Sequence, residues 1–286
     1  MQHLRRGVTV LTLLLVAAFA AAPARGSAII GRDVSHATLA IDRHGHAHVT
    51  FRVGGRMKVL TASDAINARA PSRSVPQVKF KIRYGQRGNG VCLQYDGPPL
   101  AWLLEACKAP DGSYWALQSW VRLKPNYGGT TGATELHLSH WRGPLAILTI
   151  YQNWAERQYR HLFGRLTYKG RGAYGFNATG HGAPLDSYGR NIYVDTFDSR
   201  YGKGWHHENS FLTHHRGKTL GDFCYGFFSH GSHPPGKGTK YRATAEGPGV
   251  TPDVMWAAED VGPYDASAQA TQQALERSWG DPKCRT

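Results

Sequence analysis

Short segments in which apolar and polar residues alternate decide what this chain can fold into. Residues 46–53, HAHVTFRV, place Ala47, Val49, Phe51 and Val53 on one side and His46, His48, Thr50 and Arg52 on the other. A period of two marks a strand with one packed face and one wet face. ATLAID (37–42) precedes this segment across an Arg43-His44-Gly45 turn, and Gly54-Gly55 leads on into RMKVLTA, which predicts a three-stranded meander. QVKFKIRY (77–84) sets Val78, Phe80 and Ile82 against Lys79, Lys81 and Arg83, a strand whose wet face is basic. SYWALQSWVRL, TELHLSHW, HLFGRLTYKG, AYGFNA, NIYVDTF, DFCYGFF, KYRATAEG and DVMWA continue the series. LAILTIYQ (145–152) is apolar on both faces and reads as a buried central strand.

Glycine turns separate most of these segments, and the 34 glycines suit a turn-rich chain. The expected fold is mainly β: an antiparallel β-sandwich or jelly-roll-like domain. Two helices are expected beside it. One lies near 99–107, where GPPLAWLLEACKAPDG opens on prolines and closes at Pro110. The other lies near 267–279, where Ala270, Ala274, Leu275 and Trp279 fall at helical spacing.

The N-terminal 24 residues read as a secretory signal peptide. Arg5 and Arg6 precede the apolar run VTVLTLLLVAAFAAA (8–22), and Ala22-Pro23-Ala24 has the small-x-small pattern of a cleavage point. The run is short for a spanning helix, and no second run of that length follows, so no transmembrane span is expected in the mature chain. Residues 25–63 form the meander and 64–76, with two prolines, a linker or crossing loop. Residues 77–286 form the main β-rich domain, alone or together with 25–63.

Cleavage would remove only two of the positive charges behind the formal net charge of +14. An exported protein this basic is drawn to polyanions such as acidic wall polymers or acidic polysaccharide. Nothing in the chain points to specific recognition of nucleic acid. Four cysteines in an exported chain suggest disulfides, and the shortest closure pairs Cys92 with Cys107, leaving Cys224 for Cys284.

Four groups of residues could carry chemistry. His46 and His48 share a strand face as an H-x-H pair, a ligand arrangement for zinc or copper that still needs a third donor. GWHHENSFLTHH (204–215) places His207 beside Glu208 as a potential acid–base pair, without the H-E-x-x-H spacing of a zinc-protease helix. Asp195 and Asp198 lie near a strand end, and Glu135 shares a strand face with His137. Finally, Tyr114, Gln118, Trp120 and Arg122 form a mixed aromatic and polar stripe, which suits stacking and hydrogen bonding to a sugar ring. No G-x-S-x-G, P-loop or dinucleotide fingerprint occurs, and no cofactor is expected.

The runs CKAPDGSYWALQSW, ELHLSHW, YGRNIYVDT and GPGVTPDVMW resemble those of an uncharacterised group of exported actinobacterial proteins. That resemblance implies export and a β-rich domain, and brings no activity or catalytic residues with it. The expected function is non-catalytic binding of glycan or acidic envelope polymer through the aromatic and polar strand face. The alternatives are an exported hydrolase acting on a wall or environmental polymer, or a structural surface protein.

Overall fold

The structure is a computed structural model. It describes residues 27–66, 80–122, 133–155 and 159–168, then 171–172, 176–178, 184–186, 191–197, 205–207, 210–214, 223–228, 240–246 and 252–259, and five residues between 266 and 274. Beyond residue 149, side chains are described only at Asp195, Phe197, Trp205, Lys240, Arg242 to Thr244, Pro252 to Met255 and those last five.

Alternation in the sequence becomes strand nearly everywhere it occurs. The first nine strands are β1 (Ser27–Arg32), β2 (Val34–Ile41), β3 (Ala47–Val53), β4 (Arg56–Asp64), β5 (Phe80–Tyr84), β6 (Leu93–Gln94), β7 (Leu103–Lys108), β8 (Tyr114–Arg122) and β9 (Ala133–Trp141). They form two antiparallel sheets, ordered β1-β9-β8-β7-β6 and β2-β3-β4-β5. The predicted meander is β2-β3-β4, and β5 adds to its β4 edge. Ile30, Leu39, Val49, Phe51, Leu60, Trp115, Leu117, Leu136 and Leu138 fill one core between the two sheets. The result is a β-sandwich. The alternating segments dictate it, because each sheet has an apolar face that only the other can cover.

β1 and β2 follow one another in sequence yet belong to opposite sheets. Asp33 makes the corner with a φ of 49°, a conformation that aspartate tolerates better than most residues. Its N–H donates to the Thr134 carbonyl and its carboxylate accepts the Thr134 N–H, so the corner is stitched to β9.

The remaining strands build two further antiparallel sheets. One orders Ile147–Ala155, Tyr159–Tyr168, Phe223–Phe228 and Ser210–His214. The other orders Phe176–Ala178, Pro184–Asp186, Asn191–Phe197, Lys240–Glu246 and Val254–Glu259, with Trp205–His207 on the side of Asn191–Phe197. The segment expected as a buried central strand, LAILTIYQ, is a strand at one end of its sheet, and Ile147 is exposed.

The expected helix at 99–107 is a strand. Trp102 has a φ of 49°, which ends any helical run there, and Leu103 to Lys108 then pair with β8. Prolines mark a place where a chain can start afresh but do not say into what. Here the demand of β8 for a neighbour overrides the local pattern. The expected 267–279 helix is not among the structure's elements. Ala266, Ser267, Ala270, Thr271 and Ala274 have helical backbone, and the rest of that segment lies outside the described residues. The signal peptide and most of the 64–76 linker also lie outside them. No helix among the described residues is long and apolar enough to cross a membrane.

Candidate binding faces and a buried polar seam

The outward face of the β2-β5 sheet follows from register. Ala40, His48, Thr61 and Arg83 stand in one row across the four strands, with Arg52 further along β3 and Lys81 beside Ser63. Arg52, Lys81 and Arg83 are exposed, and Arg87 lies against Met57 on the same side. Of the carboxylates beside this face, Asp64 pairs with Lys81 at 3.1 Å and Asp42 is held by its own turn. The face is therefore open, polar and net positive.

At its corner lies the histidine cluster. Asp42 Oδ1 accepts the backbone N–H groups of His44 and His46, a side-chain-capped turn. Its Oδ2 lies 3.1 Å from His48 Nε2 and 3.3 Å from His46 Nδ1. Burial would raise the Asp42 pKa, but these backbone donors and the His48 ring outweigh it and hold the carboxyl below its ordinary value. The sequence left the third donor beside His46 and His48 unassigned, and Asp42 is what stands there. Yet among the described residues, the only three such groups whose ligand atoms lie mutually within 4.8 Å are Cys92, Glu105 and Cys107. The two sulfurs of that trio form a disulfide, and Asp42 holds its turn and the His48 ring by hydrogen bonds.

The aromatic stripe is where structure and expectation part. Tyr114, Gln118 and Trp120 do share one face of β8, but Gln118 is fully buried and Trp120 is 3% exposed. Arg122 ends the strand, and its side chain lies outside the described residues. What covers the face is a segment far away in sequence. The Gln118 amide donates to the Asp253 carbonyl and accepts the Asp253 N–H. Next to it, His137 Nδ1 lies 2.9 Å from Asp253 Oδ2 and His137 Nε2 lies 3.5 Å from Glu135 Oε2. Arg32 donates to the other Glu135 oxygen, and Ser27 to Asp253. Trp120 stacks on both His137 and Trp102. Arg242 pairs with the buried Asp195, donates to the Val121 carbonyl and lies over the rings of Trp102 and Trp205. Two carboxylates flanking an imidazole suggest chemistry, but Glu135, His137 and Asp253 are at most 2% exposed. They make a polar seam that joins β8 and β9 to the C-terminal strands.

Among the described side chains of the stripe, only Tyr114 meets solvent. Tyr114 and Tyr95 pack edge to face, Tyr114 donates to Asp96, and Lys108 pairs with the same carboxylate at 2.6 Å. This small aromatic and charged platform owes its second ring to Tyr95, which alternation could not have flagged because it lies just past the short β6.

Of the acid–base candidates, Glu135 and His137 belong to the buried seam. His207 pairs in register with Asp195 at the end of a short strand, and Glu208 and Asp198 lie outside the described residues. A different nucleophile–base pair does occur. Ser113 Oγ is 2.8 Å from His140 Nε2, and His140 Nδ1 is 2.6 Å from the Asp64 carbonyl. The distance fits a nucleophile and its base. However, Ser113 is 1% exposed and His140 lies flat against Trp115, so a substrate carbonyl cannot reach the hydroxyl.

Cys92 and Cys107 form the expected disulfide, and Cys107 lies fully buried at the core. Cys224 lies in the strand Phe223–Phe228, while Cys284 lies outside the described residues. No family model, no curated protein and no solved structure matches the chain.

Proposed function

We propose that the chain is an exported, non-catalytic binding protein that holds an acidic polysaccharide across the outer face of the β2-β5 sheet. Export rests on the Arg5-Arg6 start and the apolar run that follows it, and the Cys92–Cys107 disulfide fits an oxidising compartment. The observation that carries the binding reading is Arg52, Lys81 and Arg83 exposed together on one open sheet face. Thr50 and Thr61 on the same face add hydroxyls that hydrogen-bond equally well to sulfate, carboxylate or sugar. Such a surface recognises charge spacing and hydroxyl pattern, with affinity that falls as salt rises.

The test is retention of the full chain on immobilised polygalacturonate over a salt gradient. The expected result is salt-dependent retention that moves to much lower salt in the Arg52→Ser, Lys81→Ser, Arg83→Ser triple variant. Equal retention of the triple variant and the parent would end this reading.

The Tyr95–Tyr114 platform favours a second reading, stacking on a neutral glycan. Retention on a neutral glucan that is insensitive to salt and lost in Tyr114→Ala would select it instead.

A further inference from the structure

The same register that places the basic face outward leaves an apolar mouth at one end of the sandwich. Lys58 stands opposite Phe51, and Tyr84 opposite Leu60, so both belong to the inward face of their sheet. Phe51 and Leu60 are buried at 1% and 0%, whereas Lys58 and Tyr84 are exposed. Sheet pairing explains the difference. β1 is the last strand of the facing sheet, and among the described residues no strand lies beyond it to cover Lys58 and Tyr84.

The space left is a cleft of about 810 Å³ between β1 and the β3-β5 strands, within the usual size of a small-molecule site. Ile30, Phe51 and Val53 lie at its floor, with Lys58 and Tyr84 at the opening. Gly31 brings the β1 backbone against Phe51: a Cβ there would fall 2.8 Å from Val34 and 3.0 Å from the Phe51 ring. The two cations on the cleft differ. Arg32 is engaged by the buried Glu135, while Lys58 has no carboxylate partner among the described residues. A lysine at an inward register position is unusual, and Lys58 keeps it by lying at the exposed rim of the cleft.

We propose that this cleft binds a long-chain fatty acid anion, with the acyl chain across Val53 and Tyr84 and the carboxylate on Lys58. An apolar lining fits the chain, and one unpaired cation at the mouth fits one anionic head. None of Arg52, Lys81 and Arg83 lines the cleft, so its occupancy and polysaccharide retention can fail separately.

The test is displacement of a fluorescent fatty acid from the full-length protein by laurate, kept below its micelle concentration. Saturable displacement by laurate is expected, with weaker displacement by dodecanol. Tyr84→Glu, at an exposed position on the cleft mouth that need not disturb the core, is expected to abolish laurate binding through charge repulsion. Lys58→Gln is expected to weaken laurate about fivefold and leave dodecanol unchanged, the scale of one partly exposed ion pair. Val53→Trp, checked for an unchanged melting temperature, is expected to block both ligands. Absence of saturable laurate binding would overturn the proposal. So would equal losses of laurate and dodecanol in Lys58→Gln, or laurate binding that survives both Tyr84→Glu and Val53→Trp.

Discussion

The Gln118 side chain pairs with the backbone of Asp253 as a strand would: its Oε1 accepts the Asp253 N–H at 3.1 Å and its Nε2 donates to the Asp253 carbonyl at 3.0 Å. A second donation, to the Ala101 carbonyl at 2.9 Å, completes the amide. One fully buried side chain thus satisfies three main-chain groups from two distant segments. Gln118→Leu keeps the volume and strands all three. Each buried group left without its partner costs about 1–3 kcal/mol, so the variant is expected to lose at least that much. Urea unfolding checks this, and a loss under about 0.5 kcal/mol would contradict the pairing.

His140 makes stability depend on pH. Burial against Trp115 lowers its pKa from 6.5 to about 4, and the Asp64 carbonyl and Asp111 only partly oppose the shift. The folded protein therefore binds this proton less readily than the unfolded chain. Stability from this group is complete above pH 6.5 and is lost as pH falls toward 4, about 3 kcal/mol in all. Unfolding curves between pH 7 and pH 4 are expected to show that slope in the parent and a flatter one in His140→Gln.

Asp42 acts in a lower window. Its pKa is also held down, so its contribution is present above the ordinary value of 3.8 and vanishes as pH falls below it. Asp42→Asn is expected to be less stable than the parent at pH 6, with the gap closing by pH 2. Gly88→Ala probes the same corner from the other side. A Cβ there would overlap the His48 ring, so the imidazole must leave Asp42. The ring resonances of His48 are expected to shift in that variant, and unchanged resonances would contradict the packing.

The Cys92–Cys107 bond closes a loop with a sequence separation of 15. Replacing both cysteines by alanine is expected to cost about 3 kcal/mol, the scale of loop-closure entropy for a loop of this length. Thermal unfolding of the double variant checks the value. Reductant should lower the melting point of the parent toward that of the variant.

The strands were legible because each needs only its own alternation, as HAHVTFRV and TELHLSHW show. β7 was not, because prolines before an apolar run imitate the start of a helix, and only its register with β8 makes it a strand. Alternation places Tyr114, Gln118 and Trp120 on one face of β8. Its covering was invisible, since Asp253 lies 135 residues from Gln118 and no local pattern reports such a partner. Asp42 was missed as the neighbour of His46 and His48 because a turn residue four positions away does not share the strand's period. Lys58 was equally hidden: alternation says which way it points, but not that the facing sheet stops short of it.

The pairing of β1 with β9 sets an order of events for the nascent chain. Ser27 meets Ser139 and Arg32 meets Glu135, so the first strand waits for more than a hundred residues before it finds its neighbour. The meander of β2, β3 and β4 can form early, from contacts close in sequence, but its apolar side with Leu39, Val49, Phe51 and Leu60 then faces water until β8 and β9 emerge. Pairings this distant slow folding. During that interval the open hairpins are the point where the chain is most exposed to aggregation and has most need of a chaperone.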